Sequence, residues 1–270
     1  MRNLATAILV VTLLVMPYSN AEAKQRLKRN KGYDIYLLIG QSNMAGRGRL
    51  LATDTLHNIK GVWLLNDKDM PEPARNPLNK YSTIRKGYKM QQMSPGYSFA
   101  TKLHAKTGRK ILLVHNARGG TRIGWWQPES DHAEPNYYNE AVRRTKRAMR
   151  YGTLRAILWH QGCGDNNSQN RALYMERLQR LAAALRRDLN APNVPFIAGE
   201  LAYWQYMDMN NIIRTISEHI PNSTYVSAEG CDMLKDESDP HFGRAGQLLL
   251  GSRYADKVLS MVYGHSTEEN

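Results

Sequence analysis

Short apolar segments alternate along the sequence with longer amphipathic segments, and this alternation limits the fold more than any other feature. The apolar segments are rich in Ile, Leu, Val and Tyr without strict polar alternation, which is typical of strands buried on both faces. They predict strands at 34–39, 62–65, 111–115, 155–159, 196–199 and 224–227. Helical spacing of apolar residues predicts helices at 97–106, 137–151, 172–189, 209–219 and 243–263. Strands that alternate with helices form βαβ units, so we predict an α/β fold with a mostly parallel central sheet.

The first 23 residues have the layout of a secretory signal peptide. Arg2 precedes an apolar run over residues 5–16, and the small-residue pattern Ala21-Glu22-Ala23 follows it. A membrane anchor is the alternative, but this run is shorter than the roughly 20 residues that span a bilayer. We therefore predict a signal peptide at 1–23, a single domain at 24–270, no membrane partner after cleavage, and a secreted or periplasmic protein.

The chain is strongly basic, with 37 Lys and Arg against 24 Asp and Glu and a formal net charge of +13. Such a balance suits nucleic acid, an anionic surface or an acidic polysaccharide. The cations fall mainly in the segment 24–31 and on predicted helices, for example at 143–147 and 186–187. No nucleic-acid-binding motif accompanies them, so we interpret them as solvated faces and expect no nucleic-acid partner. Nothing in the sequence indicates an oligomeric state.

A serine follows the first predicted strand in the segment GQSNMAGRG, which covers residues 40–48. A sharp turn between a buried strand and a helix can expose the hydroxyl of such a residue, here Ser42, to a substrate. An ordinary helix N-cap is the alternative, because serine is common at that position. The segment is not Gly-x-Ser-x-Gly, since Met44 replaces the second glycine, and this argues against an α/β-hydrolase elbow.

A serine nucleophile needs a base, and the base needs a carboxylate that orients it. Asp239 and His241 lie two residues apart before the last predicted helix, close enough for the carboxylate to hold the imidazole. His241 could instead be a capping or packing residue. His115 and His160 also end predicted strands, but no carboxylate is suitably spaced from either. No His, Cys, Asp and Glu set has metal-ligand spacing, so we expect no metal.

Two further strand ends offer donors for an oxyanion, which acyl transfer requires. The segment NARGGTRI at 116–123 contains two glycines that allow backbone N–H groups to face a ligand. The segment HQGCGD at 160–165 contains Gln161, whose side-chain amide could donate. In a parallel sheet all these strand ends meet at one rim, where ligands bind.

Together, GQSNMAGRG, NARGGTRI, WHQGCGD and DPHFGRAGQLLLGSRYA resemble the SGNH hydrolases, and more closely the carbohydrate esterases of the sialate O-acetylesterase and acetylxylan esterase type. The resemblance covers the whole mature length. It implies a three-layer α/β/α sandwich of the flavodoxin-like kind and removal of acetyl groups from carbohydrate without a cofactor. It implies a catalytic triad of Ser42, His241 and Asp239. The oxyanion would be held by the N–H groups of Ser42 and Gly120 and by Gln161.

The chain departs from the family pattern at Cys163, where these esterases usually carry glutamate. The other cysteine, Cys231, lies ten residues before His241, so both would border the site if the fold is right. An exported protein meets an oxidising compartment, and we therefore hypothesise a Cys163–Cys231 disulfide that replaces the structural role of the glutamate.

Aromatic and basic residues near the predicted rim are candidates for binding an acetylated carbohydrate substrate. Trp125 and Trp126 could stack on a sugar ring, or pack in the core; one exposed and one buried is the expected arrangement. Arg47, Arg118 and Arg122 could contact an acidic sugar or brace the loops. The alternatives are a general short-chain carboxylester or lipid hydrolase, and a catalytically silent carbohydrate-binding protein.

Overall fold

The computed structural model describes residues 32–265, so the predicted signal peptide at 1–23 lies outside the described residues. In this part of the chain seven strands form one sheet: β1 (Tyr33–Gly40), β2 (Val62–Leu65), β3 (Pro71–Pro73), β4 (Ile111–His115), β5 (Gly152–His160), β6 (Phe196–Gly199) and β7 (Ser223–Val226). Their order across the sheet is β3-β2-β4-β1-β5-β6-β7. All neighbouring strands are parallel except β3, which runs antiparallel to β2.

Seven α-helices accompany the sheet within the described range: α1 (Ser42–Ala45), α2 (Gly96–Thr107), α3 (Tyr137–Ala148), α4 (Ser168–Asp188), α5 (Met207–Arg214), α6 (Ile216–His219) and α7 (Arg244–Tyr263). The alternation of side chains along β1 places these helices in two layers. Ile35, Leu37 and Ile39 belong to the core cluster that α3 and α4 complete. On the other face, the Tyr36 ring packs edge-on against Phe99 of α2, and its hydroxyl bonds Tyr263 of α7 at 2.7 Å. The three-layer α/β/α prediction is confirmed.

Three differences from the predicted elements have local physical causes. Strand β3 contains Pro71 and Pro73, which cannot donate to a ladder, so it carries no strand signal and pairs only at the sheet edge. Helix α4 begins four residues early because the Asn167 side chain accepts from the N–H of Asn170 at 3.0 Å. The predicted helix at 209–219 is two short helices that meet at Thr215.

The parallel register brings the carboxyl ends of the central strands to one edge. Gly40 at the end of β1 pairs with His160 at the end of β5, and Leu38 pairs with His115 at the end of β4. The loops after these strands therefore meet above β1, as expected for ligand sites in open α/β sheets. No helix in residues 32–265 is long and apolar enough to cross a bilayer.

Candidate active site

Ser42 opens the short helix α1 directly after β1, at the centre of the sheet. The turn that presents it depends on Gly40, which adopts a φ of +131°; a Cβ there would overlap the carbonyl of His160. Within the described residues the Ser42 hydroxyl forms no hydrogen bond. In serine enzymes the hydrogen bond between nucleophile and base is often long without substrate and tightens when substrate binds.

His241 and Asp239 form a hydrogen-bonded pair in the loop before α7. The Asp239 Oδ1 atom accepts from the His241 ring Nδ1 at 2.9 Å and from the His241 backbone N–H at 2.9 Å. This double contact assigns the proton to Nδ1 and leaves Nε2 as the free lone pair. The arrangement is the one in which an imidazole acts as general base toward a hydroxyl.

Asn43 connects the serine turn to the histidine loop. Its Nδ2 atom donates to the carbonyl of Pro240 at 3.0 Å, and its Oδ1 accepts from the N–H of Phe242 at 3.0 Å. Gln247 of α7 donates to the same Oδ1 at 3.1 Å. Both residues that flank His241 are thus held by the side chain that follows Ser42. The sequence analysis missed this residue, because no local spacing signals a contact across nearly 200 positions.

The loop after β4 lies against the serine on its other side. A Cβ built on Gly119 would lie 3.4 Å from the Ser42 Cβ and 2.6 Å from Nη2 of Arg47. Only glycine therefore fits there without moving its neighbours. Gly120 is exposed, and the nearest atom to its own Cβ position is Lys86 Nζ at 3.2 Å.

Arg47 reaches into the same space and is held in place by backbone carbonyls. Its Nη1 atom donates to Gly46 at 2.7 Å and to Met90 at 2.9 Å. The guanidinium thus braces the loops, one of the two roles that the sequence left open. Its Nη2 atom faces Gly119, and hence the space beside Ser42.

The electrostatics favour a neutral His241. Burial lowers the pKa of its imidazole below the ordinary 6.5; Asp239 opposes this shift, and the cations Arg47 and Lys235 reinforce it. A neutral base is the form that can accept a proton from a serine.

The two competing histidines have other roles. The His115 Nε2 atom bonds the carbonyl of Met44 at 2.7 Å, and His160 Nε2 bonds the carbonyl of Glu200 at 2.8 Å. Both rings are fully buried, and this burial lowers the pKa of each to about 4. They are neutral structural donors, and of His115, His160 and His241 only His241 bonds a carboxylate.

Gln161 differs from the prediction that its amide donates to an oxyanion. Its Nε2 atom donates to the carbonyl of Thr121 at 2.9 Å and to Asp165 Oδ2 at 2.6 Å, which uses both amide hydrogens. The same carboxylate oxygen accepts from the N–H of Ile123 at 2.8 Å. In this structure Gln161 and Asp165 therefore hold the glycine loop in position.

The two predicted sugar-binding tryptophans separate as expected, one inside and one partly exposed. Trp126 lies in the core cluster and donates from Nε1 to Thr121 Oγ1 at 3.1 Å, so its proposed role in substrate binding is wrong. Trp125 is partly exposed, but His132 stacks on it with ring centres 3.4 Å apart. Arg118 donates to the carbonyl of Ile84 at 2.7 Å and braces the adjoining loop.

The hypothesised disulfide is absent, because Cys163 and Cys231 are both free thiols in this structure. The Cys163 thiol faces the side chains of Gln41 and Tyr206, whereas Cys231 lies near Arg253. Burial raises the pKa of each thiol to about 12, so both are protonated and unreactive at neutral pH. Nowhere in residues 32–265 do three His, Cys, Asp or Glu side chains group as metal ligands would.

Comparisons with known proteins agree with this fold. Residues 32–260 match the model of a family described as carbohydrate esterase, sialic acid-specific acetylesterase. An Arabidopsis thaliana protein named probable carbohydrate esterase At4g34215 is 31% identical over 250 residues, which cover 84% of this chain and 90% of that protein. The X-ray structure of this Arabidopsis protein superposes with a TM-score of 0.74 at 27% identity, covering 85% of this chain and 98% of that one.

Two more distant structures share the fold. NanS superposes with a TM-score of 0.66 at 16% identity, covering 87% of this chain and 99% of NanS. A carbohydrate acetylesterase from Xanthomonas citri superposes with a TM-score of 0.63 at 15% identity, covering 86% of this chain and 57% of that one.

Proposed function

Because the chain belongs to the carbohydrate esterase family of the sialic acid-specific acetylesterases, we propose that it is a serine esterase that removes O-acetyl groups from carbohydrate. The observation that carries the proposal is the Asp239–His241 pair, which Asn43 fastens beside Ser42. Base, orienting carboxylate and hydroxyl are the three parts that acyl transfer by serine needs.

The first half of the reaction forms an acetyl-enzyme. The His241 Nε2 atom accepts the proton of the Ser42 hydroxyl while Oγ attacks the acetyl carbonyl carbon. The tetrahedral intermediate then collapses, the bond to the sugar oxygen breaks, and His241 returns its proton to that oxygen. Asp239 keeps the imidazole in the required tautomer and stabilises its charged form.

The second half regenerates the enzyme by the same route. Water replaces the sugar hydroxyl, His241 takes a proton from it, and the resulting hydroxide attacks the acetyl carbonyl. Collapse of the second intermediate releases acetate, and His241 gives the proton back to Ser42 Oγ. The reaction consumes one ester and one water and yields one alcohol and one carboxylic acid.

Backbone donors at the serine turn and the glycine loop would hold the oxyanion of both intermediates. The N–H of Ser42 opens α1, and Gly119 and Gly120 follow β4 on the adjoining side. Fixed donors of this kind contribute roughly 10²–10³-fold to the rate each. Gln161 supports the loop from behind through Thr121 and Asp165.

The substrate and the location belong to the same proposal. An acetylated polysaccharide such as xylan, or an acetylated sialic acid, would supply the ester. The signal-like residues 1–23 would deliver the enzyme to the periplasm or the exterior, where such glycans occur.

The decisive experiment is hydrolysis of 4-nitrophenyl acetate by the mature protein beside its Ser42→Ala variant. We expect the variant to lose at least roughly 10³-fold in kcat/KM, as triad enzymes do without their nucleophile. Ser238→Ala is the matched control, because this serine is exposed in the loop that carries His241 and should be dispensable. Near-wild-type turnover by Ser42→Ala would refute the serine mechanism.

The dependence of the rate on acyl-chain length and on Ser42 distinguishes the carbohydrate acetylesterase from the two alternatives. A general carboxylester or lipid hydrolase would prefer long-chain esters to acetates, whereas a carbohydrate acetylesterase should release acetate from glycans and lose rate as the acyl chain lengthens. A silent binding protein would show no turnover that depends on Ser42 at any chain length.

A further inference from the structure

Trp204 is the most exposed large apolar residue of the described chain, with 70% of its surface accessible. Tryptophan is normally among the more buried residue types. The indole lies in the segment between β6 and α5, at the carboxyl edge of the sheet where the site is built. Its exposure therefore needs a reason that core packing does not supply.

The ring is held in a defined position although it is exposed. Tyr203 contacts it edge-on, with ring centres 5.5 Å apart and planes at 87°. The Arg214 guanidinium lies over the Tyr203 ring at 5.9 Å and pairs with the buried carboxylate of Glu200. A braced aromatic ring binds a flat ligand surface with little loss of conformational freedom.

Contacts of the same loop place Trp204 at the rim of the active site. The next residue, Gln205, donates from Nε2 to the carbonyl of Glu237 at 2.8 Å, in the loop that leads to His241. Asn166, which follows the Gln161 segment, donates to the Gln205 carbonyl at 3.3 Å. Burial raises the pKa of the Tyr206 phenol, and the neighbouring Cys163 and Asp239 side chains raise this pKa further.

A second exposed aromatic residue lies in a loop on the opposite side of β1 from Trp204. Tyr88 is 56% accessible and lies in the short turn Tyr88–Met90, whose last carbonyl accepts from Arg47. This turn lies in the connection between β3 and β4, on the opposite side of β1 from β6. Exposed aromatic side chains thus lie in loops on both sides of the strand that precedes Ser42.

We infer that Trp204 is the platform of a second sugar subsite, which binds the ring next to the acetylated one, so that the preferred substrate is an oligomeric glycan. The inference rests on the proposed function. The carbon-bound hydrogens of a pyranose form an apolar surface on one side of the ring, and an indole can cover this surface. The hydrogens then contact the electron-rich face of the aromatic ring. A monosaccharide bound at Ser42 would leave this platform unused.

The test compares three acetyl esters with wild type and Trp204→Ala: 4-nitrophenyl acetate, acetylated xylose and acetylated xylotetraose. We expect wild type to favour the tetraose, and the variant to raise KM for the tetraose about tenfold with little change in kcat. Its kcat/KM for the two small esters should stay within about twofold of wild type. The KM of Trp204→Phe for the tetraose should lie between those of wild type and Trp204→Ala.

Tyr151→Ala is the matched control, because Tyr151 is also exposed, at 37%, but precedes β5 at the opposite edge of the sheet. It should leave all three substrates unchanged. The inference is overturned if wild type does not prefer the tetraose, if Trp204→Ala keeps the preference, or if Trp204→Ala impairs all three esters equally. Loss of the proposed function would instead appear as hydrolysis that persists in Ser42→Ala.

Discussion

The Asn43 side chain accepts a hydrogen bond at 3.0 Å from the backbone N–H of Phe242, 199 positions further along the chain. With its contact to Pro240 at 3.0 Å, this bond fastens both neighbours of His241 to the residue that follows Ser42. One amide side chain therefore ties the loop that carries His241 to the turn that carries Ser42. Asn43 is fully buried, so water cannot replace these bonds readily.

Replacing Asn43 by alanine should reduce kcat by about 10- to 100-fold, because a misplacement of the base by about 1 Å has effects of this size. KM for 4-nitrophenyl acetate should change little. The loss of buried hydrogen bonds should also lower the free energy of unfolding by about 1–3 kcal/mol. Steady-state kinetics and urea denaturation on the same preparation measure both effects.

The control for this substitution is Asn43→Asp, which keeps an acceptor for Phe242 but places a carboxylate oxygen beside the carbonyl of Pro240. Asn43→Asp should keep more activity than Asn43→Ala only when the new carboxylate is protonated. The activity of Asn43→Asp relative to wild type should therefore fall as the pH rises. A folded Asn43→Ala variant with unchanged kcat would show that Asn43 does not position the base.

The pH dependence should identify His241 as the base. Burial, reinforced by Arg47 and Lys235, holds the pKa of its imidazole below 6.5, although Asp239 opposes the shift. The base must be neutral, so kcat/KM should fall only when the pH drops below about 6.5. Arg47→Met removes a cation that disfavours the protonated imidazole, so the pKa of His241 should rise. The acid limb of the profile, which is the fall of kcat/KM toward low pH, should then move to higher pH.

Lys235→Met tests whether the effect of a cation on the pKa of His241 depends on the exposure of that cation. Lys235 is exposed and screened by solvent, so its removal should shift the limb in the same direction by less than Arg47→Met does. The full profile of kcat/KM from pH 4 to 8 gives both midpoints. An acid limb that Arg47→Met leaves in place, or moves to lower pH, would contradict the assignment of His241.

A side chain at position 119 should disturb the space beside Ser42. A Cβ at Gly119 would lie 2.6 Å from Arg47 Nη2, so Gly119→Ala must displace the guanidinium, the loop, or both. We expect a loss of about 10- to 100-fold in kcat/KM, since donor positions near the oxyanion would shift. Gly87→Ala is the control, because nothing lies within 4 Å of its Cβ position. Equal activities of the two variants would contradict this account.

Sequence patterns were sufficient for most of the fold because burial on both faces leaves a strong local signal. The apolar runs at β1 and β4 identify central strands without any tertiary information. The edge strand β3 could not be found in this way, since its two prolines and one glutamate carry no strand propensity. Its formation depends on β2 as a template.

The candidate site residues could be placed from the sequence only where their position next to a strand or to each other fixes where they lie in the fold. Ser42 follows the end of the first strand, and the two-residue spacing of Asp239 and His241 implies their contact. The direction of the Gln161 amide and the burial of Trp126 depend on partners that come together only in the folded chain. The same holds for Trp204, whose exposure no periodic pattern indicates.

The two cysteines should titrate as free thiols without any reductant. Cys163 faces Gln41 and Tyr206, and burial raises its pKa and that of Cys231 to about 12, so both should react slowly with a thiol reagent in the folded protein at pH 8. In guanidinium chloride both should react at once. Cys163→Ser should keep activity within about threefold, because a protonated thiol takes no part in the chemistry. A non-reduced intact mass that lacks two hydrogens, with no thiol titrated after unfolding, would instead establish the Cys163–Cys231 disulfide.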